Sequence, residues 1–159
     1  MDPNKKPKGL DNPSTVKIMK TMAAANVWLY RATGGRLASH WRMGVAFRKP
    51  VKICLIEHTG RKTGQVRTTP LVFLRDGERV ILVASQAGLP NNPQWFLNLK
   101  ANPQAHVQID KERWAVTARV ADPDERAELW PKLVELYSDY DTYQAWTERI
   151  IPVVVLDPA

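Results

Sequence analysis

The chain has 159 residues, 44% of them hydrophobic and 25% charged, with one cysteine. That length predicts a single domain able to bury its own core, and one cysteine excludes an internal disulfide. Lysine and arginine outnumber aspartate and glutamate by 23 to 16, a net charge of +7, so the expected partner is anionic: nucleic acid, a membrane surface or a polyanionic cofactor.

No stretch approaches the ~20 apolar residues that a membrane span needs. The start, Met1 to Lys6, has no apolar run directly behind it and does not read as a signal peptide. Six tryptophans are more than a core of this size asks for, so some are expected to wall a pocket for a flat ligand. Cys54 sits in an apolar run and reads as a buried, inert thiol in a reducing compartment.

In chain order, residues 1–13 hold three prolines with Lys5, Lys6 and Lys8, and are expected to form a mobile basic tail before one domain at 14–159. Ser14 is placed to cap a helix to about Arg31, with Val16, Met19, Ala23 and Val27 at helical spacing and Ile18, Met22, Ala25 and Leu29 broadening the stripe. That helix either packs on its own barrel, covers a pocket or touches a membrane surface. Residues 32–50 show no period. Strands are expected at Val51–His58 and Arg67–Leu74 around a glycine-bounded hairpin, then at Arg79–Ser85 after the Asp76-Gly77 turn. A short helix over Pro93–Lys100 follows, with Asn92 as its expected cap. Ala105–Ile109 and Trp114–Val120 make a second hairpin. Asp122 then caps a helix from Pro123 through Tyr137, Tyr140–Arg149 continues as a helical piece, and Ile151–Leu156 is the last strand. Short strands linked mostly by hairpins, without βαβ alternation, predict a mainly β protein with flanking helices, built as a closed or nearly closed barrel.

Three constellations carry chemistry. Gly60-Arg61-Lys62-Thr63-Gly64, followed by Arg67, gathers cations on a turn whose amides are free to face an anion. The plainer alternative is a solvated hairpin tip. Asn92 to Pro103 brackets an amphipathic helix between two Asn-Pro pairs, and its N-terminus suits a polar or anionic group. It can equally plug one end of the barrel through Trp95 and Leu99. Tyr137, Tyr140 and Tyr143 recur by three and are expected to share a helical face, either as a hydrogen-bonding wall or as packing. His40, His58 and His106 are scattered, so no metal site is expected.

Together these stretches resemble the deazaflavin-dependent nitroreductase family of actinobacteria: His58 through Arg67, Pro70 through Gly77, the Asn-Pro-bracketed helix and the three tyrosines, over about residues 15–157. The resemblance implies a split β-barrel of the flavin-binding type and an F420H2-dependent reductase. It implies coenzyme F420, an anionic partner for the basic excess, and no metal. By resemblance Arg61, Lys62, Thr63 and Arg67 hold the phosphate side. Thr68, Thr69, Pro70 and Leu71, with Val83, Ala84, Ser85 and Gln86, line the ring. Gln94, Trp95 and Phe96 on the short helix close the pocket. Tyr137, Tyr140 and Tyr143 face the substrate, with Ser85 or a tyrosine as donor to a quinone or enone. Gln86 departs from the pattern: a nitroimidazole-activating member has lysine there. The resemblance implies a small-molecule hydride acceptor, a cytoplasmic place with membrane contact through the N-terminal helix left open, and no nucleic acid. An FMN-dependent split-barrel oxidoreductase and a basic nucleic-acid-binding barrel are the rival readings.

Overall fold

The computed structural model describes residues 12–41 and 49–159, so the expected tail lies outside the described residues up to Asp11. Pro13 is already helical. It opens α1 (Pro13–Thr33), where a proline costs nothing because its missing N–H would have no partner in the helix.

Seven antiparallel strands follow: β1 (His40–Trp41), β2 (Val51–Thr59), β3 (Val66–Asp76), β4 (Arg79–Val83), β5 (Gln104–Ile109), β6 (Glu112–Val120) and β7 (Val153–Pro158). Their order is β1-β2-β3-β4-β7-β6-β5, and β2 also pairs with β5, from Leu55 opposite Gln108 to Glu57 opposite His106. Six strands therefore close into a barrel, as expected, and among the described residues only the two-residue β1 lies outside the ring. The helices α2 (Gln94–Ala101), α3 (Pro123–Leu136) and α4 (Asp139–Ala145) flank it.

Strand alternation separates two apolar layers. Cys54, Ile56, Phe73, Val80, Leu82, Ala84, Val107, Val116 and Val154 fill the barrel interior, and Trp95, Phe96 and Leu99 of α2 plug it. Ile81, Val83, Val153 and Val155 point outward under Leu129 and Leu133 of α3 and the three tyrosines. A third patch, Ile53 and Leu55, is covered by Tyr30 of α1. Tyr30 is fully buried; its hydroxyl accepts from the Asp110 amide at 2.7 Å and reaches the Ile53 carbonyl at 3.3 Å. Cys54 is buried as expected, and burial pushes its thiol up to about 12.

Several expectations shift. Strand β1 was not anticipated, because two residues carry no period. The face α1 turns to the barrel runs through Val27 and Tyr30, leaving Met22 62% exposed and Trp28 71% exposed. The side chains of Val16, Ile18 and Met19 lie outside the described residues. Asn92 does not cap α2: Pro93 occupies the cap position without a side-chain bond, and Asn92 instead accepts from Arg149. Asp122 does cap α3, accepting from the Glu125 amide at 2.9 Å. Helix α3 stops at Leu136, because Tyr137 adopts extended backbone (φ −146°, ψ 90°), and α4 ends at Ala145, well short of Arg149.

Candidate active site

The turn between β2 and β3 is built on Gly60. A Cβ there would sit 2.9 Å from Thr63 Oγ1 and 3.2 Å from both Arg67 Nε and the Gln65 carbonyl, so any larger residue would push these neighbours aside. The turn is closed internally. The Gly60 amide donates to the Gln65 carbonyl at 2.8 Å, Thr63 and Gly64 donate to the Gly60 carbonyl, and the Arg61 amide donates to Asn98 Oδ1 at 3.1 Å. The amides of Gly60, Arg61, Thr63 and Gly64, expected to face an anion, spend their hydrogen bonds within the protein instead. The cationic side chains remain. Arg61 Nη1 donates to Gln94 Oε1 and Asn98 Oδ1, each at 3.0 Å, and both acceptors are neutral amides. Among the described residues neither Arg61, Lys62 nor Arg67 pairs with a carboxylate. Lys62, Thr63 and Arg67 are exposed.

Behind the turn sits His58, 4% exposed, directly opposite Arg67 in the strand register. Its Nε2 lies 3.0 Å from Thr69 Oγ1 and its Nδ1 3.2 Å from Asn98 Nδ2. Burial, helped by the Arg67 charge, brings its pKa down to about 4, so it is neutral at pH 7. The sequence places His58 at the head of the matching stretch and Asn98 inside the bracketed helix but assigns neither a role. Their adjacent i, i+4 partners on α2, Gln94 and Asn98, were the available signal.

The expected ring-lining residues divide by strand face. Thr68 and Pro70 on β3 and Val83 on β4 point outward, whereas Thr69, Leu71 and Ala84 point into the barrel, so the latter can meet a ligand outside only through their backbone. Thr68 is tied to α1 by a 3.0 Å bond from Arg31 Nη2, and Arg31 also pairs with Glu57. Arg31 and Arg113 together hold the Glu57 carboxyl below the usual range against a burial effect that acts upward. Of the α2 residues, Gln94 is exposed beside Arg61 while Trp95 and Phe96 are core.

After Ser85 the chain makes a 3-10 turn (Gln86–Gly88) with three successive positive φ values: 46° at Gln86, 51° at Ala87 and 68° at Gly88. Such backbone persists in non-glycine residues only when its surroundings fix it. Arg149 does so: its guanidinium donates to the Ala84, Ser85 and Leu89 carbonyls and to Asn92 Oδ1, at 2.8–3.1 Å. Sequence reading missed Arg149, which stands in no motif. Gly88 packs against α4, where a Cβ would come within 2.7 Å of the Tyr143 carbonyl. Among the described residues the Ser85 hydroxyl has no hydrogen-bond partner.

The three tyrosines gather, but not on one helical face: Tyr137 lies in the extended link after α3, and Tyr140 and Tyr143 on α4. Ring centroids are 5.0 Å apart for Tyr137 and Tyr140, 6.2 Å for Tyr137 and Tyr143, and 6.5 Å for Tyr140 and Tyr143. The Tyr137 and Tyr143 hydroxyls are hydrogen-bonded at 3.2 Å. All three are at least nine-tenths buried, and burial raises the pKa of Tyr140 and Tyr143, so both stay protonated at neutral pH. Among the described residues no three His, Cys, Asp or Glu side chains gather as a metal-binding group.

The outer faces of β3 and β4 thus run between α1 on one side and the tyrosines on the other, with a carboxylate-free basic turn at the end of β3. The same arrangement of sequence is found in known proteins. The family model for F420H(2)-dependent quinone reductase matches residues 22–158. An F420H(2)-dependent quinone reductase of Mycobacterium tuberculosis is 41% identical over 131 residues, covering 80% of this chain and 84% of that one. Another M. tuberculosis protein, provisionally named for the same activity, is 50% identical over 117 residues, covering 74% of this chain and 98% of that one. A solved F420-H2 dependent reductase is 38% identical, with a TM-score of 0.62, over 66% of this chain and 93% of that one. The chain belongs to the F420H(2)-dependent quinone reductase family.

Proposed function

We propose that the protein is an oxidoreductase that binds reduced coenzyme F420 and passes its hydride to a quinone-type acceptor. The observation that carries this is the trio Arg61, Lys62 and Arg67. Arg61 and Lys62 lie on the turn and Arg67 at the start of β3, and among the described residues none of the three pairs with a carboxylate. A phosphate or a polycarboxylate tail is the charge such a turn lacks. The half-buried Thr68 and Pro70 supply a floor for a flat ring, and the strained turn after Ser85 shapes its edge. The residues fit the group.

When bound, the deazaflavin supplies the hydride from C5. The protein's part is orientation and charge. Hydride addition to a quinone or an enone builds negative charge on oxygen, and the Ser85 hydroxyl or a protonated tyrosine serves as donor there. A lost donor of this kind costs ~2.7–4 kcal/mol of transition-state stabilisation. A cytoplasmic enzyme of this type would meet a membrane-dissolved quinone at the inner face, and Trp28 and Met22 on the outer side of α1 are the side chains for that contact. Among the described residues no helix is long and apolar enough to cross a membrane.

The test is titration with F420 and with FMN, followed by tryptophan fluorescence. Tighter binding of F420 is expected. Equal or tighter binding of FMN overturns the cofactor assignment, and salt-sensitive binding of nucleic acid with neither chromophore bound would replace it altogether. Sedimentation with anionic liposomes tests the membrane contact separately.

A further inference from the structure

Arginine has only donors, so its partners reveal how an amide is turned. The Arg61 amide and the Arg61 Nη1 both reach Asn98 Oδ1, at 3.1 and 3.0 Å. The Asn98 carboxamide is therefore held with oxygen toward Arg61 and nitrogen toward His58. Asn98 Nδ2 can only donate, so His58 Nδ1, 3.2 Å away, must be the unprotonated acceptor. The proton of neutral His58 then sits on Nε2 and is donated to Thr69 Oγ1 at 3.0 Å. The chain of donors runs in one direction, from Arg61 through Asn98 and His58 to Thr69, and both central side chains are 4% exposed. A buried polar link of this kind has one satisfied arrangement, because reversing any member sets donor against donor.

We infer that His58 and Asn98 are positioning residues whose fixed hydrogen-bond direction sets the pose of Arg61 for the cofactor's anionic group. They touch no ligand themselves. Asn98 holds the Arg61 backbone and side chain at once, which keeps a long, flexible cation at the turn before any ligand arrives and reduces the ordering cost of binding. The alternative role, packing alone, requires only that the cavity be filled. The inference rests on the reading of Arg61 as a cofactor ligand.

Two substitutions separate these roles, because asparagine places an acceptor where His58 has Nδ1 and glutamine places an amide donor where it has Nε2. His58→Asn keeps the bond to Asn98; His58→Gln keeps only the bond to Thr69. Fluorescence titration with F420 is expected to give a dissociation constant within about twofold of the parent for His58→Asn and about tenfold weaker for His58→Gln, which leaves the Asn98 amide without its buried acceptor. Turnover at saturating cofactor should change less than affinity in both. Nitrogen-15 NMR of the ligand-free protein at pH 7, assigned by the signal missing in His58→Asn, should show His58 protonated at Nε2. A proton at Nδ1 overturns the inference whatever the variants do. If Arg61→Ala weakens F420 binding while the two His58 variants match each other, the positioning role is overturned and the site stands. If Arg61→Ala leaves F420 binding unchanged, the site is overturned and the inference with it.

Discussion

Arginines on two sides of this barrel lead different lives. On the side carrying α3, Arg79 pairs with Asp76 and Glu125, and Arg119 pairs with Glu125 and Asp157, so each cation meets two carboxylates and strands are stitched to the helix start. At the β2–β3 turn, Arg61 leans on two neutral amides, and Lys62 and Arg67 pair with no carboxylate among the described residues. The first group is satisfied within the fold. In the second, neutral groups hold Arg61 in place, and the charge of all three cations is left for something else. Net charge alone does not distinguish the two; the partners of each cation do.

The largest effect on binding should come from the unpaired side. Arg61→Ala and Arg67→Ala are each expected to weaken F420 binding about 10- to 100-fold, the worth of one charge-assisted contact of ~1.5–3 kcal/mol. Melting temperatures should change little. Unchanged binding in both variants would erase the distinction between the two sides.

The tyrosines decide where the border between fold and site runs. Phenylalanine replacement keeps each ring and removes one hydroxyl. At least one of Tyr137, Tyr140 and Tyr143 should lower kcat and kcat/KM together, by about 100-fold, in hydride transfer from reduced F420 to a quinone. If all three variants turn over like the parent, the cluster is packing and belongs with α3. Next in size, Glu125→Ala should lower the melting temperature by about 2–4 °C, as expected for a loss near 1 kcal/mol in a chain of this length, without changing F420 affinity.

Acid titration sharpens the contrast further. His58 is ordinary in the unfolded chain, near 6.5, and about 4 when folded. The unfolded chain therefore binds the extra proton, so stability falls as pH drops from 6.5 toward 4 and this contribution levels off below that. Urea midpoints at pH 7 and pH 5 should fall by less in His58→Asn than in the parent. The smallest effect is expected from deleting residues 1–13: cofactor binding and turnover unchanged, and a loss of either would show the segment to be part of the working enzyme.

The barrel was legible in the sequence because its signals are local. Alternation from Val51 onward, the Asp76-Gly77 turn and the Asp122-Pro123 helix start each specify geometry within a few residues. The site was only half legible. Arg61 and Arg67 stand in a visible motif, but which of their neighbours would accept from them depends on α2 meeting a turn 37 residues away in sequence. Arg149 acts on carbonyls 64 and 65 residues distant, and backbone carbonyls leave no trace in residue identity. The tyrosine spacing suggested one helical face; the break at Tyr137 came from tertiary packing that spacing does not encode.

One feature of the topology bears on how the molecule comes to exist. Strand β7, last in the chain, lies not at a margin but between β4 and β6, and pairs with both. Until residues 153–158 leave the ribosome, the six-stranded ring cannot close, and the hydrogen-bonding edges of β4 and β6 stay open. Everything before that is a sheet with two unpaired margins, the form most prone to adding a foreign strand. Closure then joins segments far apart in sequence, a slow step by the standards of domains this size. Strand β7 is thus the keystone of assembly, and substitutions that weaken its pairing with β4 and β6 act on folding yield before they act on catalysis.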